Sequence, residues 1–135
     1  MKAGGKKRIN GEGENKSFRD LKVFQLSYNL SLEIFEVTKC FPREEKYYLT
    51  DRVRRSARSV SANIVVSWYR RRYPNSFLSK LVDSAAEAGE TGIWTYPAAD
   101  QGYLHKERKL HLSERYDQVN NRLDSMISQP GEFCH

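Results

Sequence analysis

The chain has 135 residues, the size of one ordinary domain and too short for two. Apolar residues make up 39% and charged residues 30%, which allows a core and excludes a collagen-like or wholly disordered chain. The net charge of +6 is uneven: residues 43–72 hold nine bases against three acids, whereas residues 73–135 hold six bases against nine acids.

Residues 1–17 are polar, basic and glycine-bearing, and read as a flexible tail. No apolar block follows the Lys-rich start, and no run is long enough to span a bilayer, so a cytoplasmic protein without membrane contact is expected. Cys40 and Cys134 lack CxxC spacing and fit reduced thiols. A first helix is predicted over Phe18 to Lys39. There Val23, Leu26, Leu30, Ile34, Val37 and Phe41 step by three or four, and Phe24, Tyr28 and Phe35 widen the stripe. Ser17 and Asp20 have the spacing of a capping box, and Phe41-Pro42 ends the helix.

A second helix is predicted from Glu45 or Lys46 to Arg71, with Leu49, Val53, Ala57, Val60, Ile64 and Trp68 on its apolar face. Arg54, Arg55 and Arg58 fall on an adjoining arc. Ser56, Ser59, Ala62 and Asn63 line the other flank, where a neighbouring helix can approach closely. The third helix starts near Pro74 and is apolar at Phe77, Leu78, Leu81, Val82 and Ala85, with Asp83, Glu87 and Glu90 as an acidic stripe. Gly89 and Gly92 weaken it, Pro97 predicts a bend around residues 93–98, and Gly102 reads as a cap. The fourth helix runs from His105 or Lys106 to Ile127 on Leu112, Tyr116, Val119, Leu123, Met126 and Ile127. The expected architecture is all-α: an antiparallel up-and-down four-helix bundle over residues 18–128, with a C-terminal tail at 129–135.

Several ordered motifs carry a family resemblance. They are Phe18-Arg-Asp-Leu-Lys-Val-Phe, Phe41-Pro42, and the run from Val53 through Asn63-Ile64 and Trp68 to Arg70-Arg71-Arg72-Tyr73. Phe77-Leu-Ser-Lys-Leu81, Ala88-Gly-Glu90-Thr91, Trp94 and Gly102-Tyr103-Leu104 complete them. In these the chain resembles the bacterial 23S rRNA intervening-sequence proteins, and it is similar to the accessory protein of diversity-generating retroelements. The resemblance implies a small cytoplasmic bundle that assembles as a homopentamer, and a function inferred from positive charge rather than from a catalytic motif. The chain departs from the family pattern at Val65-Val66-Ser67, where Ala-Glu-Ala or Ala-Glu-Gly is usual, and at Gly89, Gly92 and Pro97.

The arginines are the strongest functional signal. Arg54, Arg55 and Arg58 share a face, Arg70, Arg71 and Arg72 extend it, and Tyr69 and Tyr73 add rings that can stack on bases. Planar guanidinium donors match phosphate oxygens in pairs, and single-strand binders combine basic grooves with aromatic platforms. The competing expectation is that these arginines pair with Asp83, Glu87 and Glu90, within or between subunits. Asn63 is expected to satisfy a backbone group, and Trp68 and Trp94 to pack between helices or subunits. Glu87 and Glu90 read as a salt-bridged or solvated face.

The one Glu-x-x-His, Glu132 to His135, lies in the C-terminal tail rather than on a facing helix, His111 and Glu114 stand in the reverse order, and no metal or other cofactor is expected. Nucleophilic and nucleotide-binding motifs are absent, as is the Arg-x4-His of small helical ribonucleases, because Lys106 stands five before His111. The sequence therefore points to a non-catalytic module binding RNA or DNA through phosphates with low sequence specificity. The alternative is a scaffold docking an acidic protein partner or a polymerase-like enzyme.

Overall fold

Four long helices make up this computed structural model, which describes residues 15–135: α1 (Lys22–Thr38), α2 (Asp51–Tyr69), α3 (Pro74–Asp100) and α4 (Lys106–Ser128). Of the expected N-terminal tail, 1–17, all but the last three residues lie outside the described ones. Each helix packs on its chain neighbours and α4 packs back on α1, which is the up-and-down bundle that the short connections impose. No strand occurs among the described residues.

The period of three to four positions one apolar stripe of each helix inward. Val23, Leu30 and Ile34 meet Val53, Val60 and Ile64, and Phe77 and Leu81 meet Leu112, Val119 and Leu123, all buried. Small polar residues let α2 and α3 approach closely. The Ser84 hydroxyl donates to the Val60 carbonyl at 2.8 Å, and Thr91 and Ser56 share a buried hydrogen bond of 2.8 Å. The small flank expected on the second helix thus meets α3 at Ser56.

Three boundaries differ from the sequence reading. The reciprocal cap forms, with Ser17 Oγ accepting from the Arg19 N–H at 3.1 Å and Asp20 accepting from the Ser17 N–H at 3.2 Å. It closes only a 3-10 turn, Phe18–Asp20, because Leu21 turns extended and is completely buried before α1 begins. The second helix is entered through a 3-10 turn, Arg43–Glu45, and a π-helical turn, Lys46–Thr50; it ends at Tyr69 rather than Arg71. Arg70 to Tyr73 form a turn closed by a 2.9 Å backbone bond, and Tyr73 is extended because Pro74 follows.

The third helix runs unbroken through the expected bend to Asp100. Pro97 falls in its last turns, so its missing N–H costs one ladder bond where the helix is already ending. Gly102 caps it as expected at φ +83°, with the Gly102 N–H on the Ala99 carbonyl and the Tyr103 N–H on that of Ala98, a Schellman motif.

The C-terminal residues do not form a separate tail. A 3-10 turn, Pro130–Glu132, returns the chain so that Phe133 is buried against Phe77, with ring centroids 6.0 Å apart. An apolar ring so close to the end of the bundle gains more from the core than from solvent. Cys40 and Cys134 are free thiols.

Candidate functional site

The arginines of α2 and of the turn after it separate into three environments. Arg54 reaches α1: its Nε donates to Thr38 Oγ1 at 2.7 Å, its Nη2 to the Phe35 carbonyl at 3.3 Å, and its guanidinium lies 4.5 Å from the Phe35 ring centre. It is a helix clamp with one edge still in water. Arg71 is likewise packed, 3.6 Å over the Trp68 ring with Nε donating to the Trp68 carbonyl at 2.8 Å. Burial lowers its pKa, offset in part by the Cys134 thiol, but a guanidinium stays charged in proteins. Arg55, Arg58, Arg70 and Arg72 are exposed, and only Arg70 is held, by a 3.1 Å bond to Ser76 Oγ.

The expected neutralisation by α3 does not occur within the subunit. Among the described residues the ion pairs are Lys39–Glu36, Lys46–Asp51, Lys80–Asp83, Arg108–Glu33 and His111–Glu33, and none involves an α2 arginine. Arg55 acts on Glu87 only at longer range. Burial, aided by Glu90 and Asp83, raises the Glu87 pKa against the opposing pull of Arg55. One Glu87 carboxylate oxygen is buried without a hydrogen-bond partner among the described residues. Glu90 accepts from the Trp94 indole at 3.1 Å, which fixes that ring on α3. Asn63 donates to the Ser59 carbonyl of its own helix at 2.9 Å, and Trp68 is buried.

Tyr69 and Tyr73 are both exposed, Tyr69 by 73%. Tyr69 leads into a row of rings, of which the sequence reading places Phe24, Tyr28 and Phe35 on the flank of the first helix's apolar stripe. Its ring lies 6.1 Å from Phe18, Phe18 lies edge-on to Phe24 at 5.0 Å, and Phe24 stacks on Tyr28 at 5.8 Å and 17°. Tyr28 is 48% exposed, and Phe35 also reaches solvent. The sequence signal was present: α1 has more apolar residues than one face can bury. Phe24, Tyr28 and Phe35 lie on the α2 side of the helix, and Leu32 is exposed beyond them.

A second exposed surface lies on α3 towards α4. Val82, Gly89, Ile93 and Tyr96 fall on one stripe that carries no charge of its own, about a third of a turn round from the acidic one, with the Lys109 ammonium 4.0 Å from the Tyr96 ring centre. Beside it Gly89 and Gly92 leave a hollow of about 190 Å³ against Ser113, Tyr116, Asp117 and Asn120. Among the described residues no group of His, Cys, Asp and Glu is arranged to hold a metal, and His111 turns to Glu33 at 3.1 Å rather than to Glu114.

Residues 19–125 match the family described as 23S rRNA-intervening sequence protein. The chain belongs to that family. The match spans all four helices of this intervening-sequence protein, including the arginine-bearing α2. A similar solved structure is a protein of unknown function from the S23 ribosomal protein family of Bacteroides thetaiotaomicron. It shares 24% identity and a TM-score of 0.70, covering 78% of this chain and 95% of that one, which establishes a common fold. No curated protein matches. No helix among the described residues is long and apolar enough to cross a membrane.

Proposed function

We propose that this protein is a non-catalytic, cytoplasmic nucleic-acid-binding module that assembles through copies of itself. The observation that carries the reading is the set of α2 guanidinium groups with no carboxylate partner, next to exposed rings. Arg58, Arg70 and Arg72 hold phosphates; Arg55 adds positive potential on the α3 side; Tyr69 and Tyr73 contribute stacking. Arg54 and Arg71 contribute charge while holding the fold.

The uncharged α3 stripe supports self-association, because exposed apolar surface of this kind is costly to leave in water. The homopentamer implied by the family would repeat a modest basic patch and raise its affinity through avidity. Phosphate contacts carry little sequence information, so binding is weakly specific and falls steeply with salt as counterions are released.

The test is titration of RNA and DNA at several salt concentrations, with Arg58→Gln and Arg70→Gln beside the wild type. Each substitution should weaken binding across sequences and lower the salt slope by about one. A flat salt response, or no binding at about 50 mM salt, refutes the reading. Capture of a protein partner from nuclease-treated extract that depends on Arg70 and Arg72 would favour the scaffold instead.

A further inference from the structure

Resting on the nucleic-acid reading above, we infer that the ligand is a single strand whose unpaired bases stack on the aromatic row of α1. The antiparallel packing of α1 and α2 sets the arrangement. Arg54 meets Thr38 at one end of the pair, and Tyr69 meets Phe18 near the other. Arg58, one turn along from Arg54, therefore lies on the α1 side of the exposed α2 surface, between these anchor points. The same edge thus carries Tyr69, Phe18, Phe24, Tyr28, Arg58, Phe35 and Arg54 in spatial succession, whereas Arg70 turns to Ser76 at the start of α3. Arg19 adds a further guanidinium, 4.4 Å over the Phe18 ring.

A run of four rings, Tyr69 to Tyr28, is followed along this edge by Arg58, Phe35 and Arg54, and its neighbouring carboxylates are engaged elsewhere. Glu33 holds Arg108 and His111 of α4, Glu36 takes Lys39, and Asp20 caps the turn before α1. From Phe24 to Phe35 the helix rises about 16 Å, enough for several nucleotides. A duplex keeps its base faces stacked on one another and offers rings only its edges, whereas a single strand can present every face. An exposed Tyr28 ring beside unpaired guanidinium groups suits the second ligand. Self-association has the α3 stripe available, whereas burying the α1–α2 edge between subunits would desolvate its arginines, a cost that only carboxylates of the neighbouring copy could offset.

The experiment measures fluorescence anisotropy of the full chain with a labelled oligothymidylate of about fifteen nucleotides and with a labelled duplex of equal length. The strand should bind more tightly than the duplex. Tyr28→Ala should weaken strand binding about five- to hundredfold with little effect on the duplex, and Tyr28→Phe, which keeps the π-face, should restore it. Equal affinity for both probes overturns the inference, as does a Tyr28→Ala variant that binds the strand normally. So does a change of assembly mass in Tyr28→Ala by analytical ultracentrifugation, which would make the edge a subunit contact. Binding that depends on Arg58 and Arg70 but ignores Tyr28 refutes the single-strand inference alone. No binding of either probe at low salt refutes the phosphate reading and the inference with it.

Discussion

Replacing three glycines by alanine tests the backbone account, because the structure assigns opposite signs to the same chemical change. Gly89 and Gly92 lie inside α3, where glycine is about 0.8–1 kcal/mol less favourable than alanine. A Cβ built on Gly89 meets nothing within 4 Å, and one on Gly92 touches only the Tyr116 Cβ at 3.7 Å, an ordinary van der Waals contact. Neither site opposes the gain, so Gly89→Ala and Gly92→Ala should each stabilise the protein by about 0.5–1 kcal/mol. Gly102 sits at φ +83°, and although nothing crowds a Cβ there, an L side chain is strained in that region. Gly102→Ala should destabilise by about 1–2 kcal/mol. For a domain of this size 1 kcal/mol moves the Tm by about 3–6 °C. Differential scanning calorimetry should therefore show two increases and one larger decrease, and urea titration should give the same order. A fall in Tm for Gly92→Ala would mean that α3 and α4 approach more closely than described. No fall for Gly102→Ala would refute the left-handed cap.

Phe133→Ala should cost about 3 kcal/mol, since the ring is buried against Phe77; a urea midpoint unchanged from wild type would show that the C-terminal turn is not part of the core. Arg71→Gln should lower stability more than Arg72→Gln in the same titration, because only Arg71 is stacked on Trp68 and bonded to its carbonyl. Glu87 is raised in the folded state by burial, then by Glu90 and Asp83, so the native protein binds its proton more tightly than the unfolded chain does. Its contribution to stability therefore falls as pH rises from the unfolded pKa through the folded one, and its ionisation opposes folding at neutral pH. Glu87→Gln should raise the Tm at pH 7, and the difference should shrink as pH drops below the ordinary glutamate range. An equal Tm difference at pH 7 and at pH 3.5 would contradict that account.

The arginine side of the candidate site was legible because helical spacing alone places Arg55 and Arg58 off the apolar face of α2. Asn63 on its own helix backbone and Trp68 in the core also follow from local pattern. The separate fates of Arg54 and Arg58 were not legible. They differ by one turn, and only the packing of α1 decides that one meets Thr38 while the other meets water. The α1 row was hidden for a related reason. Phe24, Tyr28 and Phe35 satisfy the apolar pattern of a buried flank, and a hydropathy pattern cannot say how wide a stripe the neighbours will cover.

By itself the sequence determined four amphipathic helices, their order, the punctuation at Pro42, Pro74 and Gly102, and the concentration of positive charge on α2. These depend on interactions within a few residues: side-chain period, proline geometry and the backbone preference of glycine. Only the tertiary structure decided that Phe133 returns to the core and that within the subunit the arginines form no ion pair with Glu87 or Glu90. Those outcomes depend on distances between segments remote in the chain, and packing sets such distances after the local pattern has already been satisfied.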